Sequence, residues 1–554
     1  MTETAKNPHP TKLVHRWPEG AVVYQIYPRS FQDSNDDGVG DLQGIRQRLD
    51  YLKELGVNAI WFSPFYPSPM VDFGYDIADY YNIDPLFGTL DDFKELLADA
   101  HARDIRVLVD LVANHTSDMH PWFTESRSST TNPKADWYIW KDPKVNLDTG
   151  ERLPPNNWRD ALVGNSVWEW DETRQQFYMH SWHKHQPDLN WANKEVRRAV
   201  KDVIRFWADM GVDGFRADAV DWIANDPLFR DDSPNPDYDP AKDSRYDELL
   251  HDNSRGWPTE YAYLQEMTNV FEEPAYKDRQ LFMVAETYPE RHNTAEAYVA
   301  FYGGVDPELA APFNFEGLYM GWNATSWRRF LREFHGGLRK ISKHCIPSYA
   351  FGNHDNSRVA TRLGENVARS AALLQMTLPG MVVVYYGEEI GMHDVDIPRE
   401  LMHDVYYRSR DPERTPMQWS ADMHAGFSKA DTTWLPVADD YKTHNVDMQH
   451  NDPDSSYALY KELIRLRTSM PSLRHGSILV LEVHHPDVLC FVRTEKDEHA
   501  VVLVNFSDQV VSCVPGVPLR KLLLSTKRNS KLANLTKSAD GHIELLPHEA
   551  ALLV

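Results

Sequence analysis

The stretch GVDGFRADAVDW, from Gly211 to Trp222, decides the fold. It opens apolar and β-branched, then sets Arg216 and Asp218 where a strand ends. Phe215 and Ala217 alternate with them, so the two charged side chains share one face. An arginine beside a carboxylate favours the ionised form at neutral pH. An ionised, oriented Asp at the C-terminal end of a strand suits a nucleophile in a barrel enzyme. A structural Arg–Asp pair explains the same stretch equally well, so the rest of the chain has to decide.

Working outward, strand and helix patterns alternate. Upstream lie AVVYQIYPRSF from Ala21, VNAIWFSPF from Val57 and RVLVDLVANH from Arg106, spaced by the amphipathic segments LQGIRQRLDYLKELG and LDDFKELLADAHARD. Downstream come LFMVAET from Leu281, a weaker APFNF from Ala311, IPSYAFGNHD from Ile346 and MVVVYYGEE from Met381. With GFRADAV these are eight strands in a βαβ rhythm, which predicts an α/β fold of the (β/α)₈ TIM-barrel type. The rhythm fails from about Thr116 to His185, which reads as a domain inserted after the third strand. Beyond about Ser472 it gives way to short alternating strands, SILVLEVHH, VLCFVRTE, AVVLVNFS and HEAALLV. The expected division is 1–115 and 186–471 for the barrel, 116–185 for the inserted domain, and 472–554 for a C-terminal antiparallel β-sandwich domain. Residues 1–16 read as a polar lead-in.

At 554 residues the chain is long enough for more than one domain. Its net charge of −25 argues against nucleic acid or an anionic membrane as partner. The three cysteines, Cys345, Cys490 and Cys513, lack the spacing of a disulfide framework or a zinc site. The N-terminal segment has no apolar h-region, and no window reaches the length of a membrane span. A cytoplasmic protein is therefore expected.

DSNDDGVGD, from Asp33 to Asp41, places oxygen side chains at Asp33, Asn35, Asp37 and Asp41, with the Val39 carbonyl to fill the gap. This is the rhythm of a calcium loop, although Gly44 stands where an EF-hand has its bidentate Glu. Structural Ca²⁺ or Mg²⁺ is expected there; an Asp-rich turn without metal is the alternative.

Polar residues collect at the strand ends: Asp110, Asn114 and His115 on the third, Arg216 and Asp218 on the fourth, Glu286 on the fifth, His354 and Asp355 on the seventh. Such convergence on one rim is how barrel enzymes build their sites. These motifs, DLVANH, GFRADAV, VAET and GNHD in that order, resemble the α-amylase family, glycoside hydrolase family 13, and the likeness runs from about Trp17 onward. It implies Asp218 as nucleophile, Glu286 as general acid/base and Asp355 as the third carboxylate, in a retaining double displacement. The residue chemistry agrees. Bond cleavage needs one ionised and one protonated carboxyl; Arg216 would keep Asp218 ionised, and Asp355, if near, would discourage Glu286 from ionising. His115 and His354 can donate hydrogen bonds to sugar hydroxyls in either protonation state.

Within the family the chain is similar to the oligo-1,6-glucosidase and α-glucosidase group, through DFGYD (Asp72–Asp76), QPDLN (Gln186–Asn190) and SRDPERTPMQW (Ser409–Trp419). The likeness implies that Asp72 and Tyr75 contact the terminal glucose and that Asp72 pairs with Arg410 to cap the pocket. Arg408 and Arg414 lie close enough in sequence to be confused with Arg410. A capped pocket accepts one glucose, so the expected activity is exo-acting hydrolysis of short α-glucosides, with transfer to sugar acceptors and no organic cofactor. The likeness also implies a metal ion in the DSNDDGVGD loop. Ala219, directly after the nucleophile, implies preference for α-1,4 over α-1,6 linkages, since α-1,6-selective relatives tend to carry Val there. Simple packing of Ala219 on the barrel wall is the alternative. A glucosyl-transferring isomerase shares all four motifs, but the arginine-rich loop of sucrose isomerases is replaced by NFEGLYMGWNATSWRRF. A non-catalytic transporter subunit is disfavoured because all three acids are present. The segment Asp226 to Met267 is long and acidic, and it is expected to lie over the site.

Overall fold

The computed structural model describes residues 16–289, 294–404, 409–532 and 542–554, so most of the polar lead-in, and Arg408, lie outside the described residues. Its centre is a parallel sheet of eight strands: β1 (Val22–Ile26), β2 (Ala59–Phe62), β3 (Arg106–Val112), β4 (Gly214–Asp218), β5 (Phe282–Ala285), β6 (Ala310–Pro312), β7 (Ser348–Ala350) and β8 (Met381–Tyr385). The order is β6-β5-β4-β3-β2-β1-β8-β7. Ala350 N–H donates to the Asn314 carbonyl at 3.2 Å and the Ser348 hydroxyl to the Pro312 carbonyl at 2.6 Å, so β7 returns to β6 and the barrel closes. The weak sixth strand is real but short.

Helices pack their apolar stripes on this sheet. Leu90–His101 starts on a Thr89–Asp92 capping box and buries Phe93, Leu96, Leu97 and Ala100, the spacing of one helix face. Lys194–Met210 buries Val196, Val200, Val203, Ile204 and Trp207, then stops at Gly211. Gly211 has φ of +116°, a left-handed cap that turns the chain into β4.

Every residue of β4 is buried, including Arg216 and Asp218. Charges can stay in such a place only when paired, and the register supplies the pairing. Asp110 of β3 stands opposite Arg216, and Val112 opposite Asp218.

Between β3 and β4 the chain builds a three-stranded antiparallel sheet of Trp140–Lys141, Gln176–Met179 and Trp168–Asp171. It has its own small core of Trp158, Val167, Trp168, Phe177 and Met179. His115 and Asp188 form an isolated antiparallel bridge, so the chain leaves and re-enters the barrel at one point. At the C-terminus a five-stranded antiparallel sheet faces a two-stranded one, with Cys490, Leu503, Cys513, Leu545 and Leu553 packed in a common core. Among the described residues no helix is long and apolar enough to cross a membrane.

Candidate active site

A cavity of about 240 Å³ opens over the C-terminal ends of the barrel strands. Its wall includes Asp72, Tyr75, His115, Asp218, Glu286, Asp355 and Arg410, all of them expected from the sequence. Arg216, His354 and Ala219 are buried behind that wall.

Arg216 is the hub. Its Nη1 lies 2.7 Å from Asp110 Oδ1 and 2.5 Å from Asp218 Oδ1, and its Nη2 lies 2.7 Å from Glu286 Oε1. Asp110 also accepts from Trp61 Nε1 at 2.9 Å, which fixes its orientation. One cation thus serves three buried carboxyls. Burial pushes the Asp110 carboxyl up to about 6. Burial also pushes Asp218 well above the usual carboxylate range; Arg216 pulls against this, while Glu286 and Asp110 push the same way. Arg216 therefore favours the ionised form of Asp218, as expected from the sequence, and burial and the neighbouring carboxyls oppose it. A single guanidinium thus stands against three buried carboxyls.

Glu286 is held by two further donors. Ala219 N–H reaches its Oε2 at 2.9 Å, and the Tyr288 hydroxyl reaches its Oε1 at 2.6 Å. Ala219 follows Asp218 in the left-handed region, with φ of 48°, which turns its N–H toward Glu286. At 1% exposure its methyl group does not line the cavity.

The third carboxylate has different company. Asp355 Oδ1 lies 3.1 Å from Arg410 Nη1 and 2.9 Å from Arg414 Nη2, and its Oδ2 is 3.3 Å from His354 Nε2. Burial works to raise Asp355, but His354, Arg410, Arg414 and Arg216 together hold it below the usual carboxylate range. His354 is pushed well down, first by burial, and His115 down to about 4 by the same cause, so both rings are neutral at pH 7. Gln25 Nε2 donates to His354 Nδ1 at 2.8 Å, which leaves the ring proton on Nε2, facing Asp355. Tyr75 stacks flat on the His354 ring, 5.3 Å between centroids and 4° between planes.

The Asp72–Arg410 pair expected from the resemblance is formed. Arg410 Nη2 bonds Asp72 Oδ1 at 2.7 Å while its Nε bonds Asp404 at 2.6 Å, so one guanidinium spans Asp72, Asp355 and Asp404. Asp76 accepts from the Asp72 and Val71 amides at 3.0 and 2.9 Å and so shapes the DFGYD turn.

Several residues escaped the sequence reading. Arg414, noted there only as a look-alike of Arg410, holds Asp355 and donates to the His354 carbonyl at 2.7 Å. Gln186 Nε2 donates to Asp72 Oδ2 at 3.0 Å and lies 3.1 Å from His115 Nε2. Tyr288 stands two residues after Glu286, a spacing that could have marked it, since extended chain puts such neighbours on one side. Ala161, Leu162 and Trp182 complete the wall from the inserted domain, where no periodicity marked them.

The segment after β4 braces that inserted domain. Trp158 Nε1 donates to the Arg230 carbonyl at 2.8 Å, Arg159 pairs with Glu248 at 2.5 Å, and Phe229 stacks on Trp158 at 5.4 Å. None of its residues lines the cavity, so the expectation that it lies over the site is corrected: it supports the inserted segment beside Ala161 and Leu162.

In the Asp33–Asp41 loop, Asp33 accepts from the Asn35, Asp36 and Gly38 amides at 3.0, 2.8 and 2.8 Å. Asp41 caps the next helix through Gly44 N–H at 2.7 Å. Asn35 and Asp37 are exposed and accept from the Asp37 and Val39 amides at 3.0 and 2.9 Å. Among the described residues no group of three or more His, Cys, Asp or Glu side chains is arranged for a metal. The loop's set, three carboxylates, an amide and a carbonyl, is all oxygen, and that donor chemistry fits Ca²⁺ or Mg²⁺.

Comparison with known proteins agrees with this geometry. A family model described as the α-amylase catalytic domain matches residues 25–476. Maltase A1 of Drosophila melanogaster is 40% identical over 512 residues, 88% of this chain and 87% of its own length. An α-glucosidase of Schizosaccharomyces pombe is 37% identical, covering 98% of each chain. The crystal structure of an α-glucosyl transfer enzyme, XgtA, superposes with a TM-score of 0.85 at 35% identity, over 98% of this chain and 100% of that one. With its closed barrel, its four rim motifs in order and these full-length likenesses, the chain belongs to the α-amylase family, glycoside hydrolase family 13.

Proposed function

We propose that this chain is an exo-acting, retaining α-glucosidase. It removes terminal glucose, by preference α-1,4-linked, from short α-glucosides, and passes some of it to acceptors other than water. The observation that carries the reading is Arg410 joining Asp72 to Asp355 across one end of a cavity of about 240 Å³. A chain cannot thread past that bridge, so only a terminal residue enters.

The chemistry follows from Arg216. Neighbouring nitrogens of its guanidinium hold Asp218 and Glu286, at 2.5 and 2.7 Å. That closeness supports double displacement, which has its carboxyls about 5–5.5 Å apart, over inversion, which needs about 6.5–9.5 Å to admit a water. Asp218, ionised, attacks C1. Glu286 gives a proton to the departing oxygen, then takes one from the incoming water. Asp72, His115 and Asp355 accept from or donate to glucose hydroxyls, and Arg410 donates. The Asp33–Asp41 loop would hold a structural Ca²⁺ or Mg²⁺ after β1, with no step of the reaction passing through it. A cytoplasmic location belongs to the same proposal, supported by three irregularly spaced cysteines, and cell fractionation tests it.

The functional test is product analysis on maltose, isomaltose, sucrose and trehalose, with the anomer of the first glucose released followed by NMR. α-Glucose from maltose is expected, and β-glucose or accumulation of an isomer such as trehalose overturns the reading. Asp218→Asn and Glu286→Gln should each lower kcat by about 10⁴ or more. A variant that keeps a tenth of the activity refutes its assignment.

A further inference from the structure

Glu286 stands where the barrel's regular structure stops. β5 ends at Ala285, and Thr287 and Tyr288 lie in the loop beyond. The near side of Glu286 is held from the end of β4. Its N–H donates to the Ala217 carbonyl at 2.8 Å, and its carbonyl accepts from Val220 N–H at 3.1 Å. The far side is held by a carboxylate that the chemistry does not use, Asp221. Its Oδ1 accepts from the Thr287 hydroxyl at 2.5 Å and its Oδ2 from Tyr288 N–H at 2.7 Å. Tyr288 then turns back, and its hydroxyl donates to Glu286 Oε1 at 2.6 Å.

Asp221 is itself pinned. It sits in the middle of a single 3₁₀ turn, Val220–Trp222, three residues after Asp218. Its carbonyl accepts from Gly256 N–H at 2.7 Å, so the segment after β4 returns to it. Trp222 packs edge-on against Tyr288 at 6.2 Å, and the Arg255 guanidinium lies 5.2 Å from the Trp222 ring centre. Asp221 is buried. Burial works to raise its carboxyl, and Arg255, the Thr287 hydroxyl and the Tyr288 amide oppose it. A carboxylate is a costly brace for a loop, since a buried charge must be matched. What it offers is two acceptor atoms at a fixed separation, aimed here at two consecutive residues.

We propose that Asp221 is a positioning residue for the general acid/base: it clamps Thr287 and Tyr288, and so fixes the Tyr288 hydroxyl that aims Glu286 at the departing oxygen. The inference rests on the α-glucosidase reading and assigns the residue that keeps its acid in line. Asp221 does not line the cavity, so it acts through Tyr288 and not on the substrate. A proton is delivered only within hydrogen-bond reach, about 2.6–3.2 Å between heavy atoms, and such delivery is worth about 10²–10⁴ in rate. Without Asp221, Thr287 and Tyr288 lose these two bonds, and the Tyr288 hydroxyl loses its fixed place beside Glu286. The nucleophile keeps its own support, because Asp218 is held by Arg216. The loss therefore falls on proton transfer and spares attack at C1.

That split is what the test reads, through kcat/KM, which reports the first bond cleavage. The second glucose of maltose departs as an alkoxide unless Glu286 protonates it. Fluoride departs from α-glucosyl fluoride with little need of a proton. Asp221→Ala should lower kcat/KM about tenfold to a hundredfold for maltose, and about threefold or less for α-glucosyl fluoride. Thr287→Val removes only the hydroxyl bond and should shift the ratio of the two substrates several-fold in the same direction. It decides the matter should a melting curve show that Asp221→Ala does not fold. A merely structural Asp221 would lower both substrates alike. Equal losses, or no loss, overturn the proposal. A wild type that cleaves neither substrate defeats the α-glucosidase reading instead, and the positioning role with it.

Discussion

Replacing Arg216 by Lys tests the hub of the site without removing its charge. The guanidinium contacts Asp110, Asp218 and Glu286 at 2.7, 2.5 and 2.7 Å, using two nitrogens. An ammonium is a point donor and keeps one of these contacts well. Two charge-assisted bonds at about 1.5–3 kcal/mol each are then lost, about 3–6 kcal/mol in all. If that loss falls on the transition state, kcat/KM drops by about 10²–10⁴. The sign of the pH effect is also fixed. Burial raises Asp218 and Arg216 opposes it, so a weaker opponent lets the carboxyl rise further. More of the nucleophile is then protonated at a given pH, and the acid limb of the profile moves to higher pH. The deficit should shrink as pH rises. The assay is kcat/KM on 4-nitrophenyl α-glucoside from about pH 5 to 9, with a melting curve to show that the variant folds. A variant within tenfold of wild type at pH 7, with its acid limb unmoved, refutes the hub.

Three other outcomes are expected. Asp188 is buried, and burial pushes its carboxyl up to about 7. The folded chain therefore holds a proton between about pH 4 and 7 that the unfolded chain has released, so this group's contribution to stability falls as pH rises, by about 4 kcal/mol at most. Asp188→Asn should flatten the fall of Tm across that window, and an unchanged slope refutes the claim. Chelator should lower Tm and leave kcat nearly unchanged if the Asp33–Asp41 loop holds an ion; identical melting with and without chelator, and no metal by elemental analysis, removes the ion. Ala219→Val places a β-branched residue at φ of 48°, a strain of about 1–2 kcal/mol, beside the N–H that holds Glu286. The ratio of kcat/KM for maltose to that for isomaltose should exceed one in wild type; because the Ala219 methyl group does not line the cavity, the variant should lower both values together through Glu286 and leave the ratio nearly unchanged; a ratio that falls about tenfold or more means that Ala219 does set linkage.

The barrel was legible because its signals are local. Buried strands that end in charge stand out in a single sequence, and GFRADAV and GNHD each did so. The Asp72–Arg410 bridge crosses 338 residues, and only likeness to a family proposed it. Sharing of Arg216 was hidden for a different reason. It depends on Asp110 standing opposite Arg216, and a register between β3 and β4 is set by tertiary packing. The roles of the two arginines in SRDPERTPMQW were hidden by their closeness. Both reach Asp355, Arg410 from before the Asp411–Glu413 turn and Arg414 from after it. The acceptor side was the least legible, because irregular loops carry no period from which to infer a face.

The bracing of the inserted domain by the segment after β4 bears on how such enzymes can be recombined. Trp158 needs Phe229 and the Arg230 carbonyl, and Arg159 needs Glu248. These partners come from two separate excursions of the chain, one after β3 and one after β4. A chimera that imports residues 116–185 alone would seat a foreign loop on a mismatched cradle and leave the Ala161–Leu162 turn unsupported. The transplantable unit is the pair of excursions, and a change of acceptor preference should travel only when both move together.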